Sequence, residues 1–192
     1  MKYAKAFLPL MLALIVGACA KPPQADIDAA RMAVADAAKN ADIVAYAPDT
    51  LKSAQDKLGQ METELTAKHY DKVKSLALDA KTTAATAAND AAKGKEKAQA
   101  DATALIAALK QALPDASKKL AAAKSVRGIK LDFAGITTEL AAAQTALADA
   151  DKDLADGNFA TALQKATAVQ AQLSDGEKAI ADAVQASGNK KK

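Results

Sequence analysis

Two side chains stand out as candidates for covalent or acid–base chemistry: the single cysteine, Cys19, and the single histidine, His69. A cysteine thiolate is a nucleophile. A histidine that acts as a general base or binds a metal ion needs further polar partners, and the sequence offers no second His or Cys for that purpose. We therefore interpret His69 as a solvated turn residue and expect covalent chemistry only at Cys19.

A row of acidic residues, Asp149, Asp151 and Asp153, is the next candidate. It lacks the Gly and the terminal Glu of a calcium-binding loop. Like-charged neighbours on an exposed helix do not form an acid–base pair without burial, and the sequence has no glycine-rich phosphate loop. The sequence thus predicts no catalytic residue, no metal site and no cofactor, and we expect the protein not to be an enzyme.

The residues before Cys19 have the pattern of an export signal. Lys2 and Lys5 supply a positive start, and residues 6–16 form an almost wholly apolar run. The run of about 11 residues fits the roughly 7–15 of a signal peptide and falls short of the roughly 20 of a transmembrane helix. Residues 1–18 are therefore predicted to be a signal peptide, which from this pattern alone is either an ordinary secretory signal or a lipoprotein signal.

The four residues Val16, Gly17, Ala18 and Cys19 resemble the lipobox of bacterial lipoproteins. The resemblance implies that the signal peptidase recognises the first three and cuts before Cys19, whose sulfur carries a diacylglycerol. Two or three acyl chains hold a protein stably on a bilayer. Since Ala20 rather than Asp follows the cysteine, similarity to Gram-negative lipoproteins implies a lipid anchor on the periplasmic face of the outer membrane.

The composition favours long helices rather than a globular domain with a large core. Alanine, the strongest helix former, makes up more than a quarter of the chain, and Trp is absent. Of the 26 Lys and Arg side chains two lie in residues 1–18, which leaves 24 against 23 Asp and Glu. Charges of both signs are interleaved, so nucleic acid is not an expected partner.

Helical periodicity runs from Gln24 almost to the end of the chain without a strand-like segment. This predicts an all-α protein of Ala-rich antiparallel hairpins in an elongated, coiled-coil-like bundle. We expect a first helix up to Ala45, an interruption at Gly94, and a helix end at Leu113 imposed by Pro114. The predicted parts are a lipidated tether in residues 19–24, a first hairpin with a long third helix in 25–113, a short helix and second hairpin in 114–186, and a disordered basic tail in 187–192.

Two segments repeat the same heptad pattern at an offset of 89 residues. Apolar residues recur at alternating steps of three and four, and each segment is followed by a turn with one aromatic residue. The pattern predicts two αα-hairpins in which leucines pack against alanines, with the aromatic residue at the closed end. The expected seam residues are Leu51, Leu58, Leu65 and Tyr70 in the first hairpin and Leu140, Leu147, Leu154 and Phe159 in the second.

The first hairpin combines an Ala-Pro pair at Ala47-Pro48, heptad Leu and Ala residues, the aromatic turn His69-Tyr70, and a Leu-Ala continuation at Leu76-Ala77. In these features, residues 41–92 resemble the DUF4398 domain of bacterial envelope lipoproteins, and the second hairpin is a fainter copy. The resemblance implies a helical envelope domain. It implies no activity, since none is assigned to the family.

These observations together predict a non-enzymatic structural or adaptor protein of the cell envelope. Its expected partners are the membrane, through the lipid, and another envelope protein or a second copy of the chain. The alternative is a peptidoglycan-contacting spacer. The C-terminal Lys192 resembles the residue through which Braun-type lipoproteins are joined to peptidoglycan, although this chain is several times longer than those proteins.

Overall fold

The computed structural model describes residues 21–189, which contain six α-helices and no strand. The predicted all-α class is thereby confirmed. Within this range no helix is long and apolar enough to cross a membrane. The helices are α1 (Gln24–Lys39), α2 (Ala41–Tyr46), α3 (Pro48–Thr66), α4 (Tyr70–Lys124), α5 (Phe133–Ala155) and α6 (Phe159–Asn189).

Several predictions fall on residues outside the described range. They are the signal peptide of residues 1–18, the lipidation of Cys19, and the role of Lys192 in contact with peptidoglycan. The predicted disorder of residues 187–192 is wrong for its first part, because α6 continues through Ser187 and Gly188.

The expected single helix from Gln24 to Ala45 is two helices, and Asn40 separates them. The Asn40 side chain accepts hydrogen bonds from the backbone N–H groups of Asp42 (3.0 Å) and Ile43 (3.3 Å), which caps the start of α2. An Asn with an acidic residue in the following turn is a typical helix start. Capping is energetically favourable here because it satisfies donors that the first turn of α2 would otherwise leave unpaired.

The predicted helix end at Pro114 is wrong, since α4 runs through this residue as one helix of 55 residues. At 1.5 Å per residue the helix is about 82 Å long. A proline inside a helix removes one backbone hydrogen bond and costs about 3 kcal/mol. Pro114 is on the solvent side, whereas Leu113 and Ala116 beside it are buried against α5 and α6. This burial offsets the lost bond.

The first bundle consists of α1, α2, α3 and the N-terminal half of α4. Arg31 in α1 binds Glu62 near the end of α3 through two hydrogen bonds of 2.8 Å, so α1 begins beside the α3–α4 turn and runs antiparallel to α3. Lys95 in α4 binds Asp42 in α2 at 3.0 Å. The buried cluster of this bundle extends from Ile27 to Ala91.

The second bundle consists of the C-terminal half of α4 with α5 and α6. Its buried cluster begins at Ala102 and ends at Ile180. Lys110 of α4 binds Asp151 of α5 at 2.8 Å, and Lys119 binds Glu177 of α6 at 2.8 Å. Residues 21–189 therefore form two helical bundles along one continuous helix, a first of four helices and a second of three, with α4 contributing to both cores.

The two bundles meet around Gly94, which does not interrupt α4. A Cβ atom at Gly94 would lie 2.6 Å from the carbonyl oxygen of Tyr46, so the glycine permits α2 to approach α4 closely. The Tyr46 hydroxyl accepts a hydrogen bond of 3.4 Å from the backbone N–H of Ala160 in the first turn of α6. Tyr46 therefore contacts elements of both bundles.

The buried residues of α4 change their spacing at the same place. They alternate between steps of three and four along most of the helix, but Ala98, Ala102 and Ile106 are separated by two steps of four. An extra step of four residues locally unwinds a heptad seam. The same side of α4 therefore stays buried from Val73 to Ala123, first against α1 and α3 and then against α5 and α6.

Candidate functional site

The two hairpin turns have the same backbone geometry at the predicted offset. In the first, the N–H groups of Lys68 and His69 donate to the carbonyl oxygens of Leu65 and Glu64, and the second turn repeats this pattern 89 residues later. These bonds are those of a Schellman motif, which requires a left-handed residue after the helix. Lys68 has a φ of 60°, and Gly157 at the equivalent position has a φ of 81°.

His69 is exposed in the first turn and pairs through Nδ1 with the Glu64 carboxylate. Lys72 binds the other oxygen of the same carboxylate at 3.3 Å. The hydrogen bond from His69 is the main cause that lowers the pKa of Glu64, and Lys72 adds to it. The three side chains form an exposed surface network around one turn. They do not enclose a cavity in which a substrate could be held.

The predicted seam residues fall into two groups by burial. Leu51 in α3 and the α5 leucines Leu140 and Leu147 are buried among the core residues of their bundles. Leu58, Leu65 and Leu154 are half-buried and pack against the same cores. Small residues of the partner helices, such as Ala77 and Ala80 of α4, face the first seam. The structure therefore brings these leucines together with alanines within each bundle.

Tyr70 and Phe159 occupy equivalent positions as the first residues of α4 and α6. Both are half-buried, and neither is among the side chains that pack against the buried clusters. Tyr46 makes two specific contacts, because its hydroxyl accepts the hydrogen bond from the Ala160 N–H group and the Lys95 ammonium lies 6.0 Å from the centroid of its ring. Sequence reasoning missed Tyr46, and its position before Ala47-Pro48 was the only available signal.

Two aspartates of the acidic row on α5 form ion pairs with lysines of two different helices. Asp151 binds Lys110, and Asp153 binds Lys165 of α6 at 2.6 Å. The adjoining Asp153 carboxylate, which faces the Lys165 ammonium, raises the pKa of Lys165 above its ordinary value. Among residues 21–189, no three His, Cys, Asp or Glu side chains come close enough to hold a metal ion. The row thus ties α5 to its two neighbours.

A groove of about 770 Å³ lies between α4 and α6 at the end of the second bundle. Its floor and walls are formed by small and medium apolar residues, with charged residues at the edge. Val184 on its wall is 38% exposed, although Ile180 one turn earlier is buried. The residues that line this apolar surface are Ala122, Ala123, Val126, Ile180, Ala181 and Val184.

Residues 25–105 match the family described as a domain of unknown function (DUF4398). Residues 25–105 form a DUF4398-like domain. The match confirms the resemblance drawn from residues 41–92 and extends it in both directions. No curated protein and no solved structure matches the chain significantly.

The DUF4398-like domain covers the whole first bundle and reaches the first residues of the second. The domain starts at the beginning of α1 and ends within α4, just past Ala98 and Ala102, where the spacing of the buried residues changes. The rest of the second bundle lies outside the match, although it repeats the turn geometry of the first. α4 runs without a break from the DUF4398-like domain into the second bundle.

Proposed function

We propose that this protein is an outer-membrane lipoprotein, anchored at the periplasmic face through Cys19, whose two bundles act as a non-enzymatic spacer and adaptor of the cell envelope. The observation that carries the proposal is the continuous α4. It joins two bundles end to end over a helix of 55 residues, about 82 Å long. Such an element separates two attachment points by a defined distance.

The position of the first described residues supports an anchor at one end. Because Arg31 of α1 binds Glu62 near the end of α3, the start of α1 lies at the α3–α4 turn. Lys21 and the two prolines after it precede this start and are not helical. A lipid on Cys19 would therefore hold the outer end of the first bundle near the membrane, with the second bundle directed away from it.

The character of the concave surfaces supports an adaptor rather than an enzyme. The groove between α4 and α6 is lined mainly by Ala, Val and Ile, and the Lys119–Glu177 ion pair at its edge is exposed to solvent. An active site requires polar groups that converge on a substrate in a water-excluding pocket. The apolar groove among the described residues is therefore better suited to contact with another macromolecule than to catalysis.

Acylation and sorting test the proposal directly. In cells fed a palmitate analogue, wild-type protein should be labelled and should fractionate with the outer membrane, whereas Cys19→Ser should lose the label and keep residues 1–18. Ala20→Asp should keep the label but move the protein to the inner-membrane fraction. The matched control is Ala20→Ser, which should behave as wild type.

Each of these variants can contradict a different part of the proposal. Equal labelling of Cys19→Ser would contradict lipidation at this residue. Identical fractionation of Ala20→Asp and Ala20→Ser would leave lipidation standing and contradict the sorting to the outer membrane.

A further inference from the structure

The end surface of the first bundle consists of residues 68–72, in the α3–α4 turn and the first turn of α4. Lys68, His69 and Lys72 are exposed there, and Tyr70 is half-buried. Tyr70 does not pack against the buried cluster of the bundle, although Tyr46 does. The Tyr70 ring therefore belongs to the end surface rather than to the core.

The chain enters the first bundle beside this end surface. α1 runs antiparallel to α3, and Arg31 of α1 binds Glu62 of α3 at 2.8 Å. Gln24 lies seven residues before Arg31, and His69 lies seven residues after Glu62. The first residue of α1 is therefore at the level of the α3–α4 turn.

A lipid on Cys19 would be connected to the end surface by a very short tether. Five residue steps separate Cys19 from Gln24, and they span roughly 17 Å when fully extended. Acyl chains on Cys19 would hold the start of this tether at the bilayer. A short tether gives a high effective concentration of the end surface beside the lipid headgroups, so a weak contact is sufficient to keep it there.

The charges at this end of the bundle balance one another. Residues 21–31 and 62–77 contain five basic and five acidic side chains, and they lie within about two helical turns of the end surface. The basic residues are Lys21, Arg31, Lys68, Lys72 and Lys74, and the acidic residues are Asp26, Asp28, Glu62, Glu64 and Asp71. A surface without net charge is neither strongly attracted nor strongly repelled by a bilayer. The tether, rather than the net charge, therefore brings the two together.

Tyr70 has the chemical character of a side chain at a membrane interface, because its ring is apolar and its tip is polar. The equivalent position in the second bundle holds Phe159, which has no hydroxyl group. Phe159 lies near Gly94, since Tyr46 contacts both Gly94 and Ala160. Gly94 is 24 residues along α4 from Tyr70, which is roughly 36 Å. Of the two equivalent aromatic residues, Tyr70 alone lies at the tethered end.

The tether leaves little room for another protein at the end surface. A helix with its side chains is about 10 Å across. A helix placed between the end surface and the headgroups would take up more than half of the roughly 17 Å that the tether spans. The bilayer is therefore the occupant favoured at this surface.

We propose that the α3–α4 turn rests on the bilayer that holds Cys19, with the Tyr70 ring among the lipid headgroups and α4 directed away from the membrane. The inference rests on the lipid anchor proposed above and deepens it, because it names the side chain that contacts the lipid. Since the end surface has no net charge, this contact does not require anionic lipid.

Tryptophan fluorescence in vesicles tests the contact, because the chain has no tryptophan of its own. The acylated full-length product is purified from membranes and reconstituted into phosphatidylcholine vesicles with bromine near the headgroup end of the acyl chains. Bromine quenches tryptophan only at short range. We expect Tyr70→Trp to be quenched at least roughly threefold more than Phe159→Trp, because the headgroup region is only about 5–8 Å thick. His69→Trp gives a second, exposed probe of the same turn.

Two further probes on the sides of the first bundle distinguish an upright molecule from one that lies flat. Met32 of α1 and Leu78 of α4 are 66% and 63% exposed, and each is eight residues from the first residue of its helix, roughly 12 Å. Met32→Trp and Leu78→Trp should therefore be quenched less than Tyr70→Trp. Quenching at position 32, 78 or 159 as strong as at position 70 would overturn the proposal, and so would the absence of quenching at both 69 and 70.

The mass of each purified protein separates this inference from the lipid anchor. Protein that carries acyl chains on Cys19 but is not quenched at the turn would overturn the contact and leave the anchor standing. Protein without acyl chains would contradict the anchor itself, and the contact that rests on it would be overturned as well.

Discussion

Lys68 and Gly157 occupy the same left-handed position in two equivalent turns, with φ values of 60° and 81°. For a residue with a Cβ atom this conformation costs roughly 1–2 kcal/mol, because Cβ approaches the following carbonyl oxygen. Glycine avoids this contact but loses more chain entropy on folding, roughly 0.5–1 kcal/mol. The first turn is thus locally strained in comparison with the second.

We expect Lys68→Gly to raise the free energy of unfolding by about 0.5–1 kcal/mol and Gly157→Ala to lower it by about 1 kcal/mol. Urea unfolding followed by circular dichroism measures both changes. The control is Lys81→Gly inside α4, where the backbone is helical and the same substitution should destabilise by about 1 kcal/mol. A destabilising effect of Lys68→Gly would show that Lys68 makes a stabilising interaction larger than the strain.

In α4, packing against other helices outweighs two residues that locally disfavour a helix. Gly94 and Pro114 both disfavour a helix interior, yet neither ends α4. Leu109, Leu113 and Leu120 of this helix are buried in the second bundle, and burial of a leucine side chain contributes about 1.5–3 kcal/mol. The free energy gained from several such residues exceeds the cost of one proline.

The second seam should therefore be sensitive to charge. Leu147 of α5 is 5% exposed within the second buried cluster, and its neighbour Ala148 is exposed. We expect Leu147→Asp to lower the free energy of unfolding by several kcal/mol, because an unpaired carboxylate would be buried between helices. Ala148→Asp should change it by no more than about 0.5 kcal/mol. Thermal melts that ranked the two variants in the opposite order would contradict the buried face of α5.

On the scale of the whole molecule, the contact between the bundles depends on Gly94. A methyl group there would have to displace the Tyr46 carbonyl, and overpacking of this kind costs roughly 1–3 kcal/mol. The displacement would also move the Tyr46 hydroxyl away from the Ala160 N–H group. Tyr46 would then no longer connect α2 with the start of α6.

Amide hydrogen exchange measured by NMR can follow this connection. In Gly94→Ala we expect the Ala160 amide and the amides of α2 to exchange roughly tenfold faster, through local opening at the contact. Gly59→Ala is the matched control, because the added Cβ would meet no atom of another helix within 4 Å. It should leave these rates unchanged and stabilise α3 by roughly 0.5–1 kcal/mol. Unaltered exchange of Ala160 in Gly94→Ala would show that Tyr46 does not join the bundles.

Local patterns in the sequence determined the helical class, the seam leucines and the paired turns. Leu51 and Leu140 each begin a series of apolar residues spaced by three and four. Because a helix has 3.6 residues per turn, the members of each series lie on one face of their helix, which follows from spacing alone. The equivalence of Lys68 and Gly157 followed from the 89-residue offset. Features of this kind depend on residues less than two helical turns apart, or on a repeat that can be aligned.

The positions at which the helices end and the surfaces that stay exposed depend on contacts between distant helices. The continuation of α4 through Pro114 depends on leucines buried by α5 and α6, which follow much later in the chain. The role of Gly94 depends on Tyr46, 48 residues earlier. Val126 and Val184 form one groove only because α4 and α6 run side by side. Such contacts between distant residues have no periodicity in the sequence, since they arise from the free energy of packing whole helices together.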